Sequence, residues 1–183
     1  MRKTSLLAIS LFTLIAAVTT VRAAAKEPTL SEKILAFCRQ HKAEQVGDGE
    51  CSSLADQALK ESSAKGRSAE KPNKGDYVWG EPVYAQITGE AKPEGKRTDI
   101  KPGDIIQFRD VKLAGKDGPN RTYTMSFGHH TAIVAAVENG GATIRIFQQN
   151  YGGKRVVMDG VLHLNDLKEG WLRFYRPVAK AGK

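Results

Sequence analysis

Cysteine is scarce in this chain: Cys38 and Cys51 are the only two in 183 residues. So few exclude a scaffold built on several disulfides, and their spacing is not the Cys-x-x-Cys of a zinc site. Histidine is nearly as scarce. His41, His129, His130 and His163 show no ligand spacing, so the sequence implies no metal and no cofactor. There is no basic helix, aromatic stacking motif or zinc-finger spacing, which argues against nucleic acid as a partner. No internal repeat is present. Long apolar runs are missing as well, apart from Leu6 to Val18. That run is shorter than the about 20 residues a membrane span needs.

The apolar run has a different use. Met1-Arg2-Lys3 supplies a positive start, and Val21-Arg22-Ala23 and the alanines after it offer small-residue cleavage sites. Residues 1–25 read as a secretory signal peptide, and 26–183 as a single domain. The expected product is a secreted or periplasmic monomer with no membrane span after cleavage. Taking Arg2, Lys3 and Arg22 from the formal charge of +8 leaves about +5. A basic surface suits solubility, and it also suits an anionic partner such as a cell-wall polymer or a lipid surface.

Two helices are expected first. Thr29 with Glu32 three residues on is a capping-box pattern, and Leu30, Ile34, Leu35, Phe37 and Cys38 share one helical face. That helix should end near Lys42. After a turn at Gly47-Asp48-Gly49, a second helix runs from about Glu50 to Ser62 with Cys51, Leu54, Ala55, Ala58 and Leu59 on one stripe. Ser62 to Gly75 and Val111 to Ser126 read as long polar loops. Tyr77 to Gln86 suggests a short strand interrupted at Pro82, and Ile87 to Ile100 is polar and charged. Further strands are expected at Ile105 to Phe108, His129 to Val137, Ala142 to Gln149, Arg155 to Met158 and Trp171 to Arg176. The Asn139-Gly140-Gly141 turn signals a hairpin. Helices first and then an antiparallel meander of about five strands make the class α+β.

Three groups in this order suit a thiol hydrolase: a thiol on a helix, an imidazole on a strand and an amide carbonyl on the following strand. Cys51 opens a helix, where unpaired backbone N–H groups and the helix dipole favour a thiolate. Its own N–H points where an oxyanion would form, and the Gln45 amide is a candidate second donor. Gln45 also reads as a plain solvated loop residue. Gly49 leaves room for a close approach. His130 and His129 alternate in direction, so one of them faces Cys51. We take His130, and expect His129 to be exposed or hydrogen-bonded at the strand edge. Gln148 and Asn150 are two apart on the next strand, and either offers a carbonyl to orient the imidazole. Asn150 before Gly152 also fits ordinary turn chemistry.

The residues also resemble a known group. The blocks Gly47 to Ala55 (GDGECSSLA), Lys101 to Phe108 (KPGDIIQF), His130 to Val134 (HTAIV) and Gln148-Gln149-Asn150 are similar to those of CHAP and NlpC-type peptidases. With Tyr77-Val78-Trp79-Gly80 and Gly128-His129-His130, they resemble one branch more closely. That branch is the cysteine-proteinase-fold domain of fungal actin-patch proteins and small secreted bacterial proteins. The resemblance covers about Ser31 to Pro177. It implies a papain-like fold, Cys51 as nucleophile, His130 as general base and Gln148 as the third, orienting residue, with Asn150 a polar neighbour. Active members often carry an acid or asparagine where Gln148 stands. A neutral amide orients the ring but stabilises an imidazolium less.

Two function classes follow. One is an exported thiol hydrolase, an amidase or peptidase acting on peptide or cell-wall amide bonds. The other is a non-catalytic binding module on the same fold. A Cys38–Cys51 disulfide would consume the nucleophile, whereas Cys38 on a buried helix face is where free cysteine is commonly found.

Overall fold

Thr29 caps the first helix as its spacing with Glu32 predicts. Its hydroxyl accepts from the Glu32 N–H, and the Glu32 carboxylate accepts from the Thr29 N–H at 2.6 Å. Helix α1 runs over Leu30–Gln40 and buries Ile34, Leu35 and Cys38. Helix α2 runs over Cys51–Glu61 and buries Leu54, Ala55, Ala58 and Leu59. The computed structural model describes residues 26–69, 76–116 and 118–181. The signal-peptide reading of 1–25 lies outside them.

The strands are β1 (Ser68–Ala69), β2 (Tyr77–Val78), β3 (Glu81–Ile87), β4 (Glu94–Gly95), β5 (Ile105–Lys116), β6 (Thr122–Glu138), β7 (Thr143–Gln148), β8 (Met158–His163) and β9 (Leu167–Arg176). Strands β1 and β2 form a small sheet. The other seven form one antiparallel sheet in the order β4-β3-β9-β5-β6-β7-β8. The class is α+β as expected, with seven strands in the main sheet where the sequence suggests about five.

The differences have local causes. Val111 to Ser126, expected as a loop, is mostly strand, because β5 and β6 continue as a long hairpin arm from Val111↔Phe127 to Lys116↔Thr122. Val111, Leu113 and Phe127 point inward there while Lys116 and Thr124 are exposed, so the arm is half-buried rather than polar throughout. Strand β8 begins at Met158, where the expected Arg155 to Met158 strand ends. The sheet is also not a plain meander, since β9 returns to lie between β3 and β5.

Alternation along the strands divides the core in two. Ile105, Ile133, Phe147 and Tyr175 pack with α1 and α2 on one face. Ile106, Phe108, Ala132, Val134, Ile146 and Phe174 pack together on the other. Which face a β6 residue takes therefore decides whether it meets the helices.

Candidate active site

The loop before α2 is built to present Cys51. Asp48 Oδ1 accepts from the Glu50 N–H at 3.0 Å and from the Ser53 hydroxyl, which organises the first turn although the N-cap Glu50 makes no side-chain cap. Gly49 has φ of 82°, and a Cβ there would stand 2.9 Å from Arg155 Nε. The close approach expected at Gly49 is thus made by this chain's own Arg155. Arg155 Nη2 donates to Asp48 O at 2.8 Å and also to the Glu50 carboxylate.

Cys51 is the first residue of α2 and is half-buried. Its sulfur lies 4.0 Å from His129 O and is approached by the Thr131 N–H. Those two backbone groups share one edge of β6. Pairing with β7 starts only at Ala132↔Gln148, so the thiol occupies the edge that β7 leaves open. Burial pushes the thiol up from its ordinary value, against the N–H groups of Thr131, Ser52 and Cys51 itself, and the Glu50 carboxylate adds to the rise. The helix N-terminus is there, as expected, but desolvation outweighs it. Cys38 is a free thiol, fully buried, and pushed up to about 12 by that burial. Cys51 is likewise free.

His130 follows the even positions of β6, away from the helix face. Its ring packs among Phe108, Phe127 and Tyr151, with centroids 5.4, 5.1 and 6.1 Å away. Its Nε2 donates to Gln148 Oε1 at 3.0 Å. A carbonyl oxygen only accepts, so Nε2 carries the proton, and Nδ1 of the neutral ring keeps its lone pair. Burial pushes this imidazole down to about 4, opposed by the Gln148 bond. Gln107 steadies the backbone: its Nε2 donates to His130 O at 3.2 Å, and its Oε1 accepts from Trp79 and Thr131. Thiol and imidazole therefore flank the same stretch of β6, one from the edge and one from the face. Cys51 meets His129 only through its backbone carbonyl, and among the described residues no hydrogen bond joins the thiol to the imidazole of either histidine.

The other candidates separate. Gln148 meets His130. Asn150 leaves the strand, because β7 ends at Gln148 and Asn150 adopts φ of 59° before Gly152 and Gly153 turn the chain. Its Nδ2 donates to the Glu50 carboxylate at 2.8 Å. It still lines a cleft of about 450 Å³ with Phe127, His129, His130 and Tyr151. Gln45 donates to Gly47 O at 3.3 Å in its own loop and lines a groove with Phe37, His41 and Val46. His129 is half-exposed, with Nε2 3.9 Å from Asp76 Oδ1. Asp76 is buried and clamped by Arg109 through contacts of 2.9 and 2.7 Å. The sequence reading missed Glu50, Arg155 and Gln149. Only Gln149 left a signal, since consecutive residues on a strand face opposite ways and Gln148 was already assigned a face.

Comparison with known proteins adds the family. The model of the AIM3/BBC1 cysteine proteinase-fold domain matches residues 22–182. Among curated proteins there is no match. Among solved structures, the chain is similar to the crystal structure of Ly7917, with 21% identity and a TM-score of 0.42, over 80% of this chain and 62% of that one. It is similar to the crystal structure of Ly7917 with the hydrolyzing product of MDP, with 21% identity and a TM-score of 0.44, over 80% and 63%. The chain spans less than two thirds of the length of either.

Proposed function

The chain belongs to the AIM3/BBC1 cysteine proteinase-fold family, and from that premise we propose that it is an exported thiol hydrolase acting on peptide or amide bonds. The observation that carries the reading is the arrangement around β6. Cys51 Sγ lies against the backbone on both sides of His130, while Gln148 holds His130 by Nε2 and leaves Nδ1 as the basic nitrogen.

In this mechanism thiol and imidazole both start neutral, since burial raises the one and lowers the other. His130 Nδ1 takes the thiol proton as Cys51 Sγ attacks the carbonyl carbon, so proton transfer and attack are coupled. The oxygen that gains charge is met by the Cys51 N–H at the helix N-terminus. The C–N bond then breaks as the leaving amine takes the proton from His130. Water, deprotonated by His130, hydrolyses the thioester and frees Cys51. Gln148 keeps the ring in the required tautomer throughout. The sequence features of residues 1–25 support export, and the basic charge of the remainder supports an anionic cell-wall polymer as the substrate's carrier.

The test compares the wild type with Cys51→Ala on amide-bearing cell-wall fragments, with amine release as the readout. Turnover should fall at least 10³-fold in the variant while the thermal transition stays in place. Equal turnover in the two would end the hydrolase reading. A second reading, a binding module on the same fold, is favoured by one observation: among the described residues, no hydrogen bond joins the raised thiol to an imidazole. It predicts no turnover by the wild type, and unchanged polymer binding in a Cys51→Ala, His130→Ala double variant.

A further inference from the structure

Gln149 is fully buried, yet it is polar, and its side-chain hydrogen bonds among the described residues go to neither Cys51 nor His130. Its amide is used at both ends. Oε1 accepts from the Val46 N–H at 2.7 Å, and Nε2 donates to Val46 O at 3.0 Å and to Glu50 O at 2.9 Å. Three hydrogen bonds from one buried side chain reach the loop that presents the thiol. The last falls on the carbonyl of the residue immediately before Cys51.

That carbonyl and the Cys51 N–H belong to one peptide group. A trans peptide is planar, with its C=O and N–H pointing opposite ways. Holding Glu50 O toward Gln149 therefore aims the Cys51 N–H away from it. The N–H groups of Cys51 and Ser52 both lie by the sulfur. The neighbouring Gln148 faces the other way and holds His130. Adjacent Cα atoms are about 3.8 Å apart, so the anchors of the thiol loop and of the imidazole share one short piece of backbone.

We propose that Gln149 is a positioning residue, which by its hydrogen bond to Glu50 O sets the Cys51 N–H as the donor to the oxygen that gains charge during attack. The inference rests on the hydrolase reading and assigns a residue within it. It differs from a merely structural role because it concerns charge on oxygen. A reaction of the same thiol that builds no such charge should be spared.

Two reactions of Cys51 make that separation on the full-length protein. With p-nitrophenyl acetate, Sγ attacks the carbonyl carbon as its proton passes to His130. The C–S bond forms, the oxygen takes charge, and p-nitrophenolate departs with the electron pair of the broken C–O bond. With iodoacetamide, Sγ displaces iodide and no oxyanion forms. The ratio of the two rates, with Cys51→Ala as background, cancels effects on the thiolate population and on access. In Gln149→Met the ratio should fall tenfold or more, with a folded protein by thermal melting. Gln149→Glu keeps the acceptor for the Val46 N–H and loses both donors. It should show the same fall, and serves if the methionine variant does not fold. If both variants keep the wild-type ratio and lose only melting temperature, Gln149 is a structural tether and the inference fails alone. If the wild type releases no p-nitrophenolate through Cys51, the hydrolase reading fails and takes the inference with it.

Discussion

At the scale of single residues, the site is governed by burial. His130 is 4% exposed and, among the described residues, the one hydrogen-bond partner of its ring is the neutral Gln148 amide, so its charged form has little to stabilise it. The ring titrates near 6.5 when free and at about 4 when folded. Between these values the unfolded chain binds a proton that the native state refuses. Stability is therefore full above pH 6.5 and falls as the pH drops toward 4, by on the order of 3 kcal/mol. Thermal melts between pH 7 and pH 4 should show this loss in the wild type, and a smaller one in His130→Gln. Parallel curves for the two proteins would mean that the imidazole is not held neutral. The same balance explains Cys51. A helix N-terminus favours the thiolate, which is legible in sequence, but the enclosure that opposes it comes from β6.

At the scale of elements, the pairing of β7 with β8 makes room for the orienting amide. Gly160 on β8 lies opposite Ile146, and a Cβ there would stand 2.7 Å from Gln148 Nε2. Gly160→Ala should displace the Gln148 amide and with it the bond to His130. Overpacking of this kind costs about 1–3 kcal/mol. The expected result is a melting temperature a few degrees lower and turnover reduced by tenfold or more. Turnover at the wild-type level would show that Gln148 adapts without cost to His130. The long β5–β6 arm is a case where the sequence held more than its polarity suggests. Tyr123, Met125 and Phe127 alternate with polar residues, as do Val111 and Leu113. A period of two was there to be read, but Lys112, Gly115 and Asp117 around it read as a loop.

At the scale of the whole molecule, β9 holds the sheet together. It pairs with β3 on one side and β5 on the other. Leu172 and Phe174 from it are fully buried in the core that also encloses His130's neighbours Phe108 and Phe127. Removing two such side chains costs about 2–5 kcal/mol each, against a total domain stability of about 5–15 kcal/mol. The loss of two ladders adds to this. A chain ending at Asp166 should therefore show no cooperative thermal transition by circular dichroism. A sharp transition would mean that β5 to β8 and the helices form an independent unit. The sequence order does not disclose this arrangement, because β9 follows β8 in the chain yet lies beside β3 and β5.

The sequence by itself determined the two helices, the capping box at Thr29, the hairpin turn at Asn139 and the α+β class. Each of these is local: apolar spacing, a capping pair or a turn dipeptide lies within a few residues. It also singled out Cys51 and His130, with either Gln148 or Asn150 to orient the ring, because residue type and strand period are local as well. Tertiary structure alone decided that Gln148 rather than Asn150 meets His130, since one left-handed residue turns Asn150 toward Glu50. It alone decided that the thiol stands at the open edge of β6, that burial outweighs the helix dipole at Cys51, and that Gln149 anchors the loop before it. These outcomes depend on which strand ends first and on what encloses a group, and both are set by contacts between residues about 100 positions apart.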